Sequence, residues 1–178
     1  PFQLKGGEAA DIVLITHEHY DHCSPEDVAR IRKKDTVVIG TADVTAKYKG
    51  ETKTIKAGDS VTVHGITIQA VPAYNTNKKF HPRASGWVGY VVNMNGKRVY
   101  HAGDTDYIPE MESLKDIDVA LVPVSGPYVM TAEEAAEAVN RMKPTVAVPI
   151  HYGSIVGTKA DADRFKTLVK APTRVEIL

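Results

Sequence analysis

Residues 16 to 22 read THEHYDH, placing three imidazoles and two carboxylates within seven positions. In an extended segment His17 and His19, two residues apart, project to the same side, so both rings can reach one ion. Asp21 and His22 lie past a bend and can face a second point. The spacing is H-x-H-x-D-H and not the helical H-E-x-x-H, because the fourth residue after His17 is Asp21. Imidazole and carboxylate together suit a divalent transition metal, zinc, manganese or iron, and ligand type alone does not choose among them. Two further stretches, HAGDTD at 101 to 106 and PIHYG at 149 to 153, each put a candidate ligand, Asp104 or His151, directly after an apolar strand.

The elements that must position these groups can be read from pattern. DIVLITH at 11 to 17 is a continuous apolar, β-branched run, the mark of a buried strand, and it ends at the first histidines. Ser24 as cap and Pro25 at the first helical position then open a helix expected to run through about Lys33. The H-x-H-x-D-H segment is therefore a loop at the carboxyl end of a strand, an edge where active sites commonly lie. TVVIG at 36 to 40 is a second strand. SVTVHGITIQAV at 60 to 71 and residues 86 to 103 read as hairpins about His64-Gly65 and Asn95-Gly96. DVALVPV at 118 to 124 and TVAVPIH at 145 to 151 are buried strands, separated by a helix at 131 to 143 with Thr131 and Glu134 in capping-box positions. A helix near 160 to 170 and a strand RVEIL complete a mixed α/β pattern, expected as one domain over residues 1–178.

The 178 residues are 43% apolar and 25% charged, the balance of a globular chain, and the 22 basic and 22 acidic residues cancel. No overall field recruits nucleic acid or an anionic membrane. The longest apolar run, VALVPV at 119 to 124, is too short to span a bilayer, and no leader pattern opens the sequence. With the single cysteine, Cys23, this makes the cytoplasm the expected location. Cys23 reads as a small buried hydrophobe, His64 as a hairpin surface residue and His101 as a structural histidine.

Taken in order, H-x-H-x-D-H at 17 to 22, GDT at 103 to 105 and H-Y-G at 151 to 153 resemble the metallo-β-lactamase fold superfamily. The likeness is nearer to its lactonase-like metal-dependent hydrolases, a group similar to ascorbate-6-phosphate lactonase. The resemblance implies a four-layer αββα sandwich. It implies one or two divalent metals: His17 and His19 on the first, Asp21, His22 and His151 on the second, and Asp104 bridging them. Where the family usually supplies a further histidine to the first metal, this chain has Asn75. That site is then weakened, filled only with substrate, or completed by His81. Relatives carry strands well before the H-x-H-x-D-H loop, whereas sixteen residues precede His17 here. The expectation is a sandwich lacking its N-terminal strands.

The chemistry so implied is attack by metal-activated hydroxide on a small ester, lactone or phosphoester, since two ions lower the pKa of a shared water to about 7. Asp21 and Asp104 are the catalytic candidates. The loop NTNKKFHPR at 75 to 83 offers Lys78, Lys79, His81 and Arg83 to an anionic group on a small-molecule substrate, with Tyr74 and Asn75 lining the pocket. A solvated charged loop is the competing reading of those cations. A nuclease or phosphodiesterase of the same fold and a non-catalytic metal-binding protein are the alternatives, and a homo-oligomer is compatible with either.

Overall fold

The computed structural model describes residues 3–178. Its first sheet has three parallel strands in the order β1 (Ala10–Leu14), β2 (Arg32–Gly40), β3 (Thr52–Thr54). The period of two along β1 and β2 sorts their side chains onto opposite faces. Ile12, Leu14, Val37 and Ile39 pack against the second sheet, while Val13, Ile15 and Val38 pack on the other side with Val28 and Val44. Val28 belongs to α1 (Pro25–Ile31) and Val44 to α2 (Ala42–Thr45).

The second sheet has seven strands: β4 (Ser60–Val63), β5 (Ile66–Pro72), β6 (Val88–Met94), β7 (Lys97–His101), β8 (Val119–Pro123), β9 (Val146–Ile150) and β10 (Arg174–Val175). They lie in the order β10-β9-β8-β7-β6-β5-β4. One face meets the first sheet through Val63, Ile68, Val88 and Tyr90. The other carries Val91, Tyr100, Ala120 and Val122 against α3 (Ala132–Met142) and Phe165 of α4 (Lys159–Leu168). Helices, sheet, sheet, helices is the αββα order. On α3 the buried residues Ala135, Ala138, Val139 and Met142 follow the i, i+3, i+4, i+7 stripe of a helix with one face in a core. Burying Val139 and Met142 contributes about 1.5–3 kcal/mol each. The Thr131 hydroxyl accepts from Glu134 N at 3.2 Å and Glu134 Oε2 from Thr131 N at 2.8 Å, the capping box expected there.

Some boundaries differ from the sequence reading. The first helix stops at Ile31, because Arg32 is extended and begins β2 opposite Ala10. RVEIL pairs only over Arg174–Val175. β3 and α2 are too short and too polar to leave a periodic trace. No helix among the described residues is long and apolar enough to cross a membrane.

Direction of run decides where function can gather. β5 and β7 are each antiparallel to β6, and β7, β8 and β9 are mutually parallel. The carboxyl ends of β5, β7, β8 and β9 therefore share one edge of the sheet. The first sheet brings the end of β1 to the same place: Tyr90 Oη donates to Ile15 O at 2.7 Å and Val88 N to Thr16 O at 3.2 Å.

Candidate metal centre

Four loops at that edge carry the candidate ligands. His17, His19, Asp21 and His22 leave β1, His81 follows β5, Asp104 follows β7, and His151 follows β9. Their ligating atoms form three groups, each within 4.8 Å: His17, His19 and His81; His17, His22 and Asp104; Asp21, His22 and His151. Asp104 joins them. Its Oδ2 lies 3.3 Å from His81 Nε2, 3.2 Å from His151 Nε2 and 3.9 Å from His17 Nε2, and its Oδ1 lies 3.4 Å from His22 Nε2. His22 Nε2 is also 3.4 Å from Asp21 Oδ2. Ligands bound at about 2.1 Å in a tetrahedron stand roughly 3.4 Å apart, so these spacings are those of a coordination shell.

Buried nitrogens supply an independent test. Nε2 of His17 and of His81 are both buried and make no well-formed hydrogen bond, His81 Nε2 facing Asp104 Oδ2 at 3.3 Å outside hydrogen-bond geometry, which is costly unless something else occupies them. The opposite nitrogens are engaged: His17 Nδ1 with Thr16 Oγ1 at 2.9 Å, and His151 Nδ1 with Ser125 Oγ at 2.8 Å. His81 Nδ1 faces two acceptors, Asn75 Oδ1 and Tyr128 O, both at 3.1 Å. It must carry the proton, which leaves the Nε2 lone pair directed into the cluster. The residues present fit a divalent metal.

Electrostatics follow from the crowding. Burial, and then the neighbouring His22, push His17 down to about 2. Burial and His81 likewise lower His19. Burial opposes charge on His22, but its hydrogen bonds to Asp104 and Asp21 prevail and raise it to about 9. Burial would raise Asp104, yet its hydrogen bonds with His151 and His22 hold it well below the usual carboxylate range. The hydrogen bond from His22 lowers Asp21. The carboxylates thus favour positive charge at the centre of the cluster, the charge a metal cation would supply.

Backbone geometry at the site is specialised. Gly103 has φ +68, and a Cβ there would meet Val88 O at 3.1 Å and Thr16 Cβ at 3.2 Å. His151 adopts φ +61, a left-handed conformation sparse outside glycine and held here by the Ser125 contact.

The other residues singled out in the sequence fall differently. Asn75 is no ligand: its Oδ1 accepts from His81 N at 2.9 Å and from His81 Nδ1, while Nδ2 donates to Asp106 Oδ1 at 3.1 Å and Tyr128 O at 3.0 Å. It orients His81, which joins the histidine cluster and not a substrate-binding loop. Lys78 points inward, 2.5 Å from Asp106 Oδ1 and 3.5 Å from Glu134 Oε2. Arg83 pairs with Glu110 at 3.1 Å and lies over the Tyr74 ring, whose hydroxyl donates to the same Glu110 at 3.0 Å. Lys79 is exposed. The basic anion site expected at 78 to 83 is not assembled, because the buried Asp106 and the half-buried Glu134 claim its inner cation. Asp106, Ser125, Tyr128 and Trp87 went unmarked in the sequence. Asp106 ends the quoted HAGDTD, whereas Ser125 is found only through the β8–β9 pairing that sets Pro123 opposite Ile150.

A cleft of about 280 Å³ opens over the cluster, walled by His19, Asp21, His81, Asp104 and His151 and by Tyr20, Phe80, Tyr128, Ile155 and Val156. The family described as "Beta-lactamase superfamily domain" matches residues 1–152. The chain belongs to the metallo-β-lactamase superfamily. Within this superfamily it is similar to a "UPF0173 metal-dependent hydrolase" of Thermoplasma acidophilum, 35% identical over 165 residues, 89% of this chain and 72% of that one. A solved structure assigned to the metal-dependent hydrolases, from Parabacteroides distasonis, superposes with TM-score 0.86 at 42% identity, covering 96% of this chain and 77% of the other. A metallo hydrolase of Ignicoccus hospitalis gives TM-score 0.77 at 28% identity over 95% and 76%. As a superfamily member the chain has the mixed α/β architecture of these metallo-hydrolases.

Proposed function

We propose that this metallo-β-lactamase superfamily member hydrolyses small esters, lactones or phosphoesters that carry an apolar body. The observation carrying this reading is the pair of orphaned imidazole nitrogens beneath an apolar-rimmed cleft. Six large apolar side chains are exposed among the described residues, and four of them, Tyr20, Phe80, Tyr128 and Ile155, rim this one cleft. Such clustering marks a binding surface. Phe80 and Tyr128 meet edge to face at 4.5 Å, forming a wall for a hydrocarbon or ring. No lysine or arginine lines the cleft, which disfavours nucleic acid and leaves only the metal centre itself to meet a substrate anion.

His17, His19 and His81 would hold one divalent ion and Asp21, His22 and His151 a second, with Asp104 within reach of both sets; the set suits zinc, then manganese or iron. Ions bound there would supply an acidified water and polarise the scissile oxygen. Asp104 holds the two triads at fixed separation. Asp21, at the cleft wall, would accept a hydrogen bond from the attacking water and aim it. Phe80 and Tyr128 seat the substrate and exclude bulk water. A cytoplasmic setting is consistent with Cys23, a buried free thiol.

The test combines elemental analysis of purified protein with a hydrolysis screen in which each ester, lactone and phosphodiester is supplied with a neutral apolar and an anionic substituent. Bound transition metal and preference for the apolar members are expected. Protein that stays metal-free after incubation with excess zinc, manganese or iron, or preference for the anionic members, would overturn the reading.

A further inference from the structure

The three histidines of the first set are not held alike. His17 Nδ1 is engaged by Thr16 Oγ1, and His81 Nδ1 by Asn75 Oδ1 and Tyr128 O. The His19 ring makes no hydrogen bond among the described residues, and only its backbone carbonyl is used, accepting from His22 N at 3.0 Å and Cys23 N at 2.8 Å. An imidazole with no partner on its far nitrogen is free to turn, and a turned ring is lost to a metal. What surrounds His19 instead is other rings: Trp87 at 4.7 Å, His17 at 4.8 Å and His81 at 5.0 Å between centroids.

Trp87 meets all three histidines. Its ring lies edge to face with His19 at 73°, 5.1 Å from His17 and 5.7 Å from His81. The residue is buried and stands directly before β6, where the chain is tied to both elements that deliver the histidines. Trp87 O accepts from Ala73 N at 3.1 Å, at the exit of β5 toward His81, and the next residue donates from Val88 N to Thr16 O at 3.2 Å, at the exit of β1 toward His17 and His19. The far side of the indole is fixed as well. Nε1 donates to Asp43 Oδ2 at 2.8 Å, and Asp43 Oδ1 in turn accepts from the Thr41 hydroxyl and from Val44 N at 3.0 Å. An aromatic plane anchored at both ends restricts any ring packed against it.

We propose that Trp87 is a positioning residue of the set His17, His19 and His81, its indole clamped by Asp43 so that the His19 ring keeps the orientation that hydrogen bonds supply to the other two. This role rests on the metal-centre reading and adds to it two residues, Trp87 and Asp43, that are not ligands.

Trp87 is the sole tryptophan of the chain, so its emission reports cobalt(II), which takes nitrogen ligands as zinc does, arriving at the adjacent histidines. Cobalt titration of chelator-treated protein followed by this emission tests the role. A saturable quenching step is expected, retained in His151→Ala and weakened at least about tenfold in His19→Ala. Asp43→Ala should weaken the step about tenfold, whereas Asp43→Asn, which removes the charge but keeps an oxygen for the indole N–H, should stay within about threefold of the parent. Trp87→Leu, read by competition with a chromophoric chelator, should bind cobalt about 10- to 100-fold more weakly. Circular dichroism of each metal-free variant establishes that it is folded at the titration temperature, and the Asp43 pair carries the test if Trp87→Leu does not fold. A parent that binds no cobalt overturns the metal-centre reading and the role of Trp87 together. A parent that binds, with Asp43→Ala or Trp87→Leu binding equally well, overturns the role of Trp87 alone. So does equal weakening in Asp43→Ala and Asp43→Asn, which would assign the effect to charge and not to the clamp.

Discussion

Replacing Asn75 by leucine should weaken metal binding without touching a ligand. The Asn75 amide spans His81, Asp106 and Tyr128. In Asn75→Leu the Asp106 carboxylate keeps Thr76 N at 2.8 Å and Lys78 Nζ at 2.5 Å, so it is not stranded. The buried His81 N–H, however, loses its acceptor at 2.9 Å, a cost of about 2 kcal/mol. His81 Nδ1 keeps only Tyr128 O, and its ring gains freedom to rotate away from the cluster. Loss of such a supporting hydrogen bond lowers metal affinity roughly 10- to 100-fold. Urea unfolding of chelator-treated protein measures the first effect, and zinc titration against a competing chelator the second. A zinc affinity within twofold of the parent, with the stability loss present, would refute the orienting role of Asn75 and with it the placement of His81 on the metal.

Asp21→Ala and Asp104→Ala should each reduce hydrolysis at least about 100-fold while far-ultraviolet circular dichroism stays that of the parent; activity within a few fold would remove the mechanism. Lys78→Met strips the buried Asp106 of its cation and should cost about 3 kcal/mol by urea unfolding. Its effect on KM should be the same for neutral and anionic substrates, and a selective effect on anions would restore that lysine to the substrate. Burial, then His22, lowers His101 to about 4, and its Nδ1 accepts from Gly103 N at 3.1 Å. Its folded pKa lies below the unfolded value, so the unfolded chain binds the extra proton. The neutral ring's contribution is complete above about pH 6.5 and is lost as pH falls toward 4, up to about 3 kcal/mol. His101→Gln should flatten that limb of the stability profile, and an unchanged limb would refute the assignment.

Local spacing and apolar runs determined a good part of this protein. H-x-H-x-D-H after a buried strand, Asp104 after β7 and His151 after β9 stand out because each is a short polar break in an apolar pattern, and the structure gathers them at one sheet edge. The hairpins about His64-Gly65 and Asn95-Gly96, and the α3 capping box, rest on neighbours in sequence and were equally legible. The mixed α/β class followed from the same alternation, and the αββα layering from the superfamily resemblance.

Tertiary structure alone decided the rest. His81 lies in a loop without periodicity, and what turns its ring is a network in which Asn75 meets Asp106, 31 residues away, and Tyr128, 53 residues away. The charge of Lys78 reads in the sequence as an invitation to an anion, but its partner is a buried aspartate delivered by another strand. The apolar rim of the cleft is likewise drawn from Tyr20, Phe80, Tyr128 and Ile155, which no local window relates. Pattern reports which groups a segment offers; only the packing of distant segments sets which of those groups are consumed within the fold and which remain free to meet a metal or a substrate.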